Sequence, residues 1–361
     1  MKVLIVGVDY FHYATSLVKA CEMSGNQVKN IWITEFRESK NDYWKIRANK
    51  LGFRSFEKNY NTKMNRDFIK EVESFKPDLC IIINGKDVNM EFLITLKKLS
   101  VKTALFMIDS IQFDCFRHSL NQISYYDKVF SYEPSDINFL LTNYAYKSAK
   151  YLFLGYDETI FQVSEKNKEK EIDICFVGVL NKKRFNLLEK VAQYADQNNR
   201  KMVVYTHPLY PEKNVLHKIR NYFRANKIKS KYPFLTKFLI DTPVYNEKLA
   251  DLYRRSKICI NIHSEGSLHT GPNPRTFEIL GCGSFELVDF NHLHQVELES
   301  GKHLVEFESE DDLCGKIDYY LTYGKEREYI ADNGHKLAKE KYTMSKCVEN
   351  ILMEIETRNS N

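Results

Sequence analysis

The segment Asn-Pro-Arg-Thr-Phe-Glu-Ile-Leu-Gly-Cys-Gly at 273–283 contains the residue types needed to bind a phosphate group. It lies between two apolar runs typical of strands, so we expect a helix that begins at the carboxyl edge of a sheet. The first turn of such a helix presents free N–H groups and the positive end of the helix dipole, which attract a diphosphate. Arg275 adds a cation that can bond two phosphate oxygens. Glu278, one turn later, can accept hydrogen bonds from ribose hydroxyls.

A purely structural role for the same residues is also open. Asn273 is a favourable residue for capping a helix, and Pro274 fits the first turn because its missing N–H costs nothing there. Arg275 and Glu278 are three residues apart, which is the spacing of an ion pair on a helix surface.

The elements that must position this segment alternate between strand and helix along the whole chain. Apolar runs, such as KVLIVG at 2–7 and DLCIIIN at 78–84, predict strands that are buried on both faces. Helical patterns separate such runs, which indicates parallel sheets with right-handed crossovers. The polar segment 164–171 (SEKNKEKE) is a linker candidate, after which the alternation restarts. The sequence therefore predicts an α/β protein with two Rossmann-like sheets in series.

Composition favours a globular protein of about two domains. The chain has 361 residues, of which 43% are hydrophobic, and a formal net charge of +5. No apolar run approaches the ~20 residues of a membrane span, and the N-terminus resembles a first strand more than a signal peptide. The eight cysteines form no C-x-x-C pair, so we expect reduced, mostly buried thiols in a cytoplasmic protein.

Several motifs are absent, and their absence narrows the chemistry. The turn after the first apolar run, Gly7-Val8-Asp9-Tyr10, contains a single glycine, whereas a dinucleotide fingerprint needs three. No nicotinamide or flavin cofactor is therefore expected. The sequence has no G-x-S-x-G elbow and no D-x-D pair, so neither a serine hydrolase nor a metal site is expected. For His292, His294 and His303 we expect exposed loop positions, since their spacing fits no familiar metal site.

An ordered set of segments resembles one protein family. GPNPRTFEILGCGSFELVDF at 271–290 is similar to the signature of the spore-maturation CgeB group of GT-B glycosyltransferases. FKPDLCIIING, LFMIDS, YLFLGYDETIF, EIDICFVG and LYRRSKICINIH agree with the group in order along the chain.

The resemblance implies two facing Rossmann-like domains with parallel sheets. Residues 1–163 would form the acceptor-binding domain and 172–342 the nucleotide-sugar-binding domain. Residues 343–361 would form a C-terminal helix that crosses back to the first domain.

The resemblance also implies which residues hold the donor, a nucleotide-diphosphate sugar that acts as substrate. Asn273 and Arg275 match the group's N-x-R-x-F-E pattern, and Thr276 lies in the same turn. Gly178 would let the backbone approach a phosphate, and Arg184 would be a second diphosphate cation. The expected donor-binding residues are Gly178, Arg184, Tyr245, Asn273, Arg275, Thr276 and Glu278. Tyr245, which would lie beside the base, can equally be a packing aromatic. Lys182 and Lys183 are expected on a solvated face.

One departure from related retaining enzymes leaves the stereochemistry open. Glu278 matches the second Glu of their E-x7-E motif, but the first position holds Thr270. Glu265 is nearby at a different spacing. Both the retaining and the inverting outcome therefore stay open.

Transfer from such a donor leaves a diphosphate whose growing negative charge N–H dipoles and arginine can stabilise without a metal. An inverting reaction also needs a base for the acceptor hydroxyl. Asp109, at a strand end, is the first candidate, and Asp9, after the first strand, is the second. His207 and His263 also end strands. For each of the four, a role in capping or core hydrogen bonding is an alternative.

Two basic stretches are candidates for contact with other molecules. Residues 213–237 hold eight Lys or Arg and no acid, interleaved with aromatic and aliphatic residues. A solvated lysine-rich helix is one interpretation, and a peripheral contact with an anionic membrane or with nucleic acid is the other. The stretch 43–68 is the candidate acceptor loop.

Three function classes follow. The first is glycosyl transfer to an acceptor that the sequence does not identify: a glycan, a lipid-linked glycan, a protein or a nucleic acid. The second is other nucleotide-sugar chemistry on the same fold, such as epimerisation. The third is a non-catalytic module that binds a polyanion or a membrane. The oligomeric state is not indicated.

Overall fold

The apolar runs form two sheets of six strands each, and the paired strands are parallel. The computed structural model describes residues 1–34, 55–164, 170–207, 215–263, 271–289 and 296–357. The chain divides into two compact units, Met1–Gly155 with Met344–Asn361, and Tyr156–Thr343. The predicted α/β class with parallel sheets is confirmed.

The described residues of the first unit form six strands in the order β2-β1-β3-β4-β5-β6. They are β1 Lys2–Gly7, β2 Gln27–Trp32, β3 Leu79–Ile83, β4 Lys102–Met107, β5 Lys128–Ser131 and β6 Ala149–Tyr151. All five residues of β3 are buried, as a strand covered on both faces requires. The sheet order reverses between β1 and β3, because the chain first adds β2 on one side and then continues on the other.

Six helices belong to the described part of the first unit. They are α1 Tyr13–Met23, α2 Ser55–Phe75, α3 Met90–Lys98, α4 Arg117–Leu120, α5 Pro134–Tyr144 and α12 Met344–Glu356. The last of these, α12, follows the whole second unit and packs against α1. Its Cys347 is buried and lies 3.7 Å from the carbonyl oxygen of Phe153. The sequence predicted a loop at 43–68, but the described part of that stretch, from Ser55, is helical.

The second unit has the strand order β12-β11-β10-β7-β8-β9. Its strands are β7 Ile172–Val177, β8 Met202–Tyr205, β9 Leu239–Ile240, β10 Ser256–Asn261, β11 Glu286–Asp289 and β12 Val305–Phe307. The first strand of the unit, β7, lies at the centre beside β10. The order therefore reverses between β7 and β10, and in open α/β sheets ligands bind beyond the carboxyl ends of the strands at such a point.

Six helices of the second unit are described. They are α6 Lys182–Gln197, α7 Val215–Lys231, α8 Asn246–Arg254, α9 Pro274–Gly281, α10 Glu310–Thr322 and α11 Gly324–Lys341. The short helix α9 ends before Gly283, whose φ of 66° lies in the left-handed region that favours glycine. The first and last residues of this unit lie side by side, because the N–H of Tyr156 donates to the carbonyl of Tyr342 at 3.2 Å.

The cysteines agree with the prediction of reduced thiols. All eight are free, six of them are buried, Cys115 is exposed and Cys314 is half-buried. Within the described ranges, the structure contains no helix that is both long and apolar enough to cross a membrane.

Candidate active site

The predicted helix at 273–283 is present, and Asn273 caps it. The Asn273 side-chain oxygen accepts the backbone N–H of Arg275 at 3.0 Å and that of Thr276 at 3.4 Å. Pro274 occupies the first helical position, where its ring suits the helical φ. The first turn of α9 therefore starts at the carboxyl edge of the second sheet, as the sequence predicts.

Arg275 and Glu278 form an ion pair on α9. The Nη1 atom of Arg275 lies 2.7 Å from Oε2 of Glu278, and the two side chains are 26% and 17% exposed. Burial raises the pKa of Glu278, although the Arg275 charge opposes this. Burial lowers the pKa of Arg275, but Glu278 and Tyr253 outweigh it and hold that pKa above its ordinary value. The pair is thus largely enclosed, and Arg275 interacts with Tyr253 as well as with Glu278.

Arg184, in the first turn of α6, spans the point where the sheet order reverses. Its Nε donates to the carbonyl of Ile262, after β10, at 2.9 Å, and its Nη1 donates to that of Val179, after β7, at 2.6 Å. Burial lowers the pKa of Arg184, Asp289 raises it, and the positive charge of Arg275 lowers it further. Two guanidinium groups therefore lie within electrostatic reach of each other at this edge.

Gly178 leaves room for the Arg184 guanidinium. A Cβ at this position would lie 3.4 Å from Nη1 of Arg184 and 3.2 Å from the Phe176 ring. The same ring lies under the guanidinium, with Cζ of Arg184 5.7 Å from the ring centroid. A side chain at 178 would compete with Arg184 for this space.

Tyr245 and His207 lie together near the carboxyl end of β8. The Tyr245 hydroxyl is 3.0 Å from Nε2 and 3.2 Å from Nδ1 of His207. Both side chains are half-buried. The structure thus joins the residue expected beside the base with one of the candidate strand-end histidines.

His263, two residues after β10, is bound by the carboxylate of Asp289. Oδ1 of Asp289 lies 2.7 Å from Nδ1 of His263 and accepts its backbone N–H at 2.9 Å. Nζ of Lys183 donates to Oδ2 of Asp289 at 2.5 Å. Burial acts to raise the pKa of Asp289, but His263 and Lys183 outweigh it and lower that pKa to about 2. Lys183 was expected on a solvated face; its side chain is 36% exposed, and its charge is paired with Asp289.

A buried polar network lies behind the cap of α9. The Asn261 amide exchanges hydrogen bonds of 3.0 Å with that of Asn273, and its Nδ2 donates to Oε1 of Glu286 at 2.8 Å. The Thr276 hydroxyl donates to the same Glu286 oxygen at 2.9 Å. The network connects two strands to the helix start.

Asp109 and Asp9 belong to the first unit. Asp109 follows β4, and its Oδ2 accepts from Nδ2 of Asn84 at 3.1 Å. Burial raises the pKa of Asp109, and the Asn84 bond partly opposes this, so the carboxylate is a stronger base than an exposed one. Asp9 instead accepts the N–H groups of Ala14 and Thr15 at 2.9 and 3.1 Å, which is the capping role.

His303 was expected to be exposed, and that prediction is wrong. It is 7% exposed, its Nδ1 accepts the N–H of Glu299 at 3.1 Å, and burial lowers its pKa. Thr270, Glu265, His292 and His294 lie outside the described residues.

Sequence reasoning missed Asn261, Glu286 and Asp289 as parts of the site. A signal was available, because Asn261 and Glu286 interrupt the apolar runs KICINIH and SFELVDF. Buried polar residues in a strand almost always have partners nearby, but the identity of a partner on another strand is not readable from one sequence.

Comparison with known proteins agrees with this architecture. The glycosyl transferase-like family matches residues 212–353. The chain is similar to HepE of Anabaena in complex with UDP-glucose, at 11% identity, over 99% of this chain and 100% of that one, with a TM-score of 0.67. It is also similar to sucrose-phosphate synthase of Thermosynechococcus elongatus, at 10% identity, over 100% and 99% of the two chains, with a TM-score of 0.67.

A third similar structure has different chemistry in its name. UDP-GlcNAc 2-epimerase of Neisseria meningitidis, bound to UDP-GlcNAc, shares 12% identity over 99% of this chain and 100% of that one, with a TM-score of 0.62. No curated protein matches the sequence. At these identities the structural likeness shows the fold, and the chain has the GT-B fold.

Proposed function

We propose that the protein is a metal-independent glycosyltransferase that takes a sugar from a nucleotide-diphosphate donor. The observation that carries this proposal is the capped N-terminus of α9, with Arg275 and Arg184, where the order of the second sheet reverses. That edge combines N–H dipoles with two guanidinium groups, and both favour a diphosphate.

The comparisons support a uridine nucleotide as the first donor to test. HepE was solved with UDP-glucose, and the matched family is glycosyl transferase-like. We further propose that the protein belongs to the CgeB-like subgroup, whose signature the segment 271–290 resembles.

Each residue has a proposed role in the reaction. As the glycosidic bond to the donor breaks, the diphosphate gains negative charge, which Arg275, Arg184 and the helix dipole stabilise. Glu278 accepts from the ribose hydroxyls, and Tyr245 lies beside the base. If the reaction inverts, Asp109 takes the proton of the acceptor hydroxyl, and its raised pKa suits that task.

Thermal melting with a panel of nucleotide-sugars tests the donor, and product mass tests the reaction. A donor at 100 times its dissociation constant should stabilise the protein by about 2.7 kcal/mol. Transfer then raises the mass of an acceptor by one glycosyl unit. A panel in which no nucleotide-sugar raises the melting temperature would contradict the proposal.

An epimerase is the second candidate, since the UDP-GlcNAc 2-epimerase has the same fold. It converts one nucleotide-sugar into another of equal mass. Incubation of the stabilising donor alone separates the two functions, because an epimerase then produces an isomer without any acceptor.

We also propose a peripheral contact between α7 and an anionic membrane, where a lipid-linked acceptor would be found. Ile228 packs against the core of the second unit, whereas Tyr222 and Phe223 are 66% and 67% exposed. At 3.6 residues per turn, these two lie about 120° and 140° around the helix from Ile228, so they face away from the core. Lys227 and Lys229 are exposed on the same helix, and exposed aromatics beside lysines are typical of interfacial helices. The free thiols favour a cytoplasmic location.

A further inference from the structure

Glu286, the first residue of β11, is a carboxyl group with no exposed surface. Its Oε1 accepts from the Asn261 amide and the Thr276 hydroxyl, at 2.8 and 2.9 Å. Its Oε2 is buried as well and has no hydrogen-bond partner among the described residues. A buried carboxylate with one oxygen unbonded is costly, whereas a protonated carboxyl at that position costs far less.

The two donors connect Glu286 directly to the start of α9. Asn261 is bonded to the capping residue Asn273, and Thr276 supplies one of the N–H groups that Asn273 caps. A shift of the Glu286 side chain would therefore move both the cap and the first turn of the helix.

The charges around Glu286 oppose its ionisation. Burial raises its pKa to about 7, the bonds from Asn261 and Thr276 act against this, and the nearby Asp289 carboxylate adds to it. Of the other charged groups at this edge, Arg275 is paired with Glu278 on α9, and His263 and Lys183 are paired with Asp289. The Arg184 guanidinium donates to the backbone carbonyls of Ile262 and Val179. None of these groups makes a hydrogen bond to Glu286 in the described residues.

We propose that Glu286 is a positioning residue for the diphosphate site and that it is protonated when the diphosphate is bound. The proposal rests on the proposed function, which places the diphosphate at the N-terminus of α9. With the site empty, the positive end of the helix favours the carboxylate. A bound diphosphate cancels that field and adds negative charge, so binding and protonation of Glu286 favour each other.

The sign of the pH dependence follows from this coupling. The protonated protein binds the donor more tightly, so affinity is highest below the pKa of Glu286 in the free protein. Affinity falls as the pH rises from about 7, and we expect a total loss on the order of tenfold. Binding at neutral pH takes up a fraction of a proton.

Titration calorimetry with UDP-glucose tests the coupling. Both phosphates of this probe are esterified, so neither phosphate titrates between pH 5.5 and 8.5. Glu286→Gln copies the protonated carboxyl, with an amide N–H₂ in place of the O–H. At pH 6 we expect Glu286→Gln and the wild type to bind UDP-glucose with equal affinity. At pH 8.5 the variant should bind it about tenfold more tightly than the wild type does at the same pH. Buffers of different ionisation enthalpy should reveal proton uptake in the wild type only. The control is Glu308→Gln, which removes an exposed carboxylate after β12 and should behave as wild type.

Thermal melting of the ligand-free proteins tests the protonation of Glu286 independently of donor binding. The pKa of Glu286 is raised in the folded state above its value in the unfolded chain, ~4.3, so its contribution to stability declines between pH ~4.5 and ~7 and is constant above. The wild type should lose melting temperature relative to Glu286→Gln over that window. If the difference in melting temperature between the two proteins does not change with pH, Glu286 does not titrate in this range and the proposal is wrong.

The remaining outcomes separate the two proposals. If both proteins bind UDP-glucose with the same pH dependence, the coupling is wrong although the donor site stands. If neither binds it, the donor site and the coupling both fail for this nucleotide, while the melting curves still report the proton.

Discussion

Arg275 is the residue whose removal tests the donor site most directly. Arg275→Ala deletes charge-assisted bonds to the diphosphate, each of which contributes about 1.5–3 kcal/mol, so donor affinity should fall by roughly ten- to a hundredfold. If those bonds tighten as the diphosphate leaves, turnover should fall by a further factor of about 10²–10³. Calorimetry and the rate of nucleotide release measure the two effects.

The ion pair with Glu278 requires a second variant as a control. Arg275→Ala alone leaves a largely buried carboxylate without its partner, which lowers stability for reasons unrelated to the donor. Arg275→Ala combined with Glu278→Gln removes that charge and should recover melting temperature without recovering affinity. Lys182 is exposed at the start of α6, and Lys182→Ala should leave both the melting temperature and the donor affinity unchanged. Wild-type affinity in the Arg275 variants would place the diphosphate elsewhere.

Asp109 gives a separate prediction for the acceptor side. If it is the base, Asp109→Asn should lower turnover by about 10²–10⁴ while donor affinity stays within twofold. The base must be ionised, so turnover of the wild type should fall on acidification. Because burial raises the pKa of Asp109, this acidic limb should lie above the pH range of an ordinary aspartate. Retained turnover in Asp109→Asn would favour a retaining reaction, which needs no such base.

At the residue scale, local rules predicted part of the site. The cap by Asn273 and the Arg275–Glu278 pair depend on neighbours within one helical turn, which a sequence displays. The ties of Lys183 to Asp289 and of Asn261 to Glu286 join residues 106 and 25 positions apart. Those ties depend on which strands lie side by side, and a single sequence does not contain that information.

At the scale of elements, helix α7 carries the prediction about membranes. Replacing Lys227, Lys229 and Lys231 by Gln removes three positive charges that each contribute about 1 kcal/mol near an anionic surface. Binding to vesicles of phosphatidylserine and phosphatidylcholine should fall at least tenfold and become less dependent on salt, while donor affinity is retained. Vesicle sedimentation and calorimetry measure these changes.

A matched variant distinguishes a specific face from net charge. Lys325, Lys336 and Lys339 are exposed on α11 of the same unit, and their replacement by Gln removes the same charge. That variant should bind vesicles nearly as the wild type does. Equal losses in both variants would indicate general electrostatics, and binding of the wild type to single-stranded polynucleotide but not to vesicles would indicate nucleic acid instead.

Element types were more predictable than element bounds. Strands such as β1 and β3 are short continuous apolar runs rich in Val and Ile, and their length and composition favour a buried strand over a helix. Helix α2 extends back to Ser55 through a polar, aromatic stretch with weak periodicity, so its start was not predicted. Short strands such as β9, with two residues, depend on pairing with a neighbour and leave almost no local pattern.

At the scale of the whole molecule, the strand order of the second sheet determines which edge brings the candidate site residues together. Gly178 and Arg184 lie in the connection after β7, and His263 lies after β10. The two connections meet because β7 and β10 are neighbours at the point where the strand order reverses. The alternation of elements predicted two parallel sheets, but a position within a sheet is a tertiary property. Periodicity therefore did not predict the order of the strands. The resemblance to GT-B enzymes implied two Rossmann-like domains, and the observed strand orders agree with that.

The charges gathered at this edge lead to the prediction about metal. Lys183, Arg184 and Arg275 lie there against the carboxylates of Glu278 and Asp289, and the N-terminus of α9 adds about half a unit of positive charge. These positive charges slightly outnumber the carboxylates at the edge, Glu286 included when it is ionised, so the edge offsets part of the charge on a leaving diphosphate before any cation binds. Donor turnover should therefore change less than about twofold in excess EDTA, measured as nucleotide release with and without added Mg²⁺. Complete loss in EDTA, restored by Mg²⁺ or Mn²⁺, would mean that the arginines and the helix dipole do not suffice and that a cation carries the leaving-group charge.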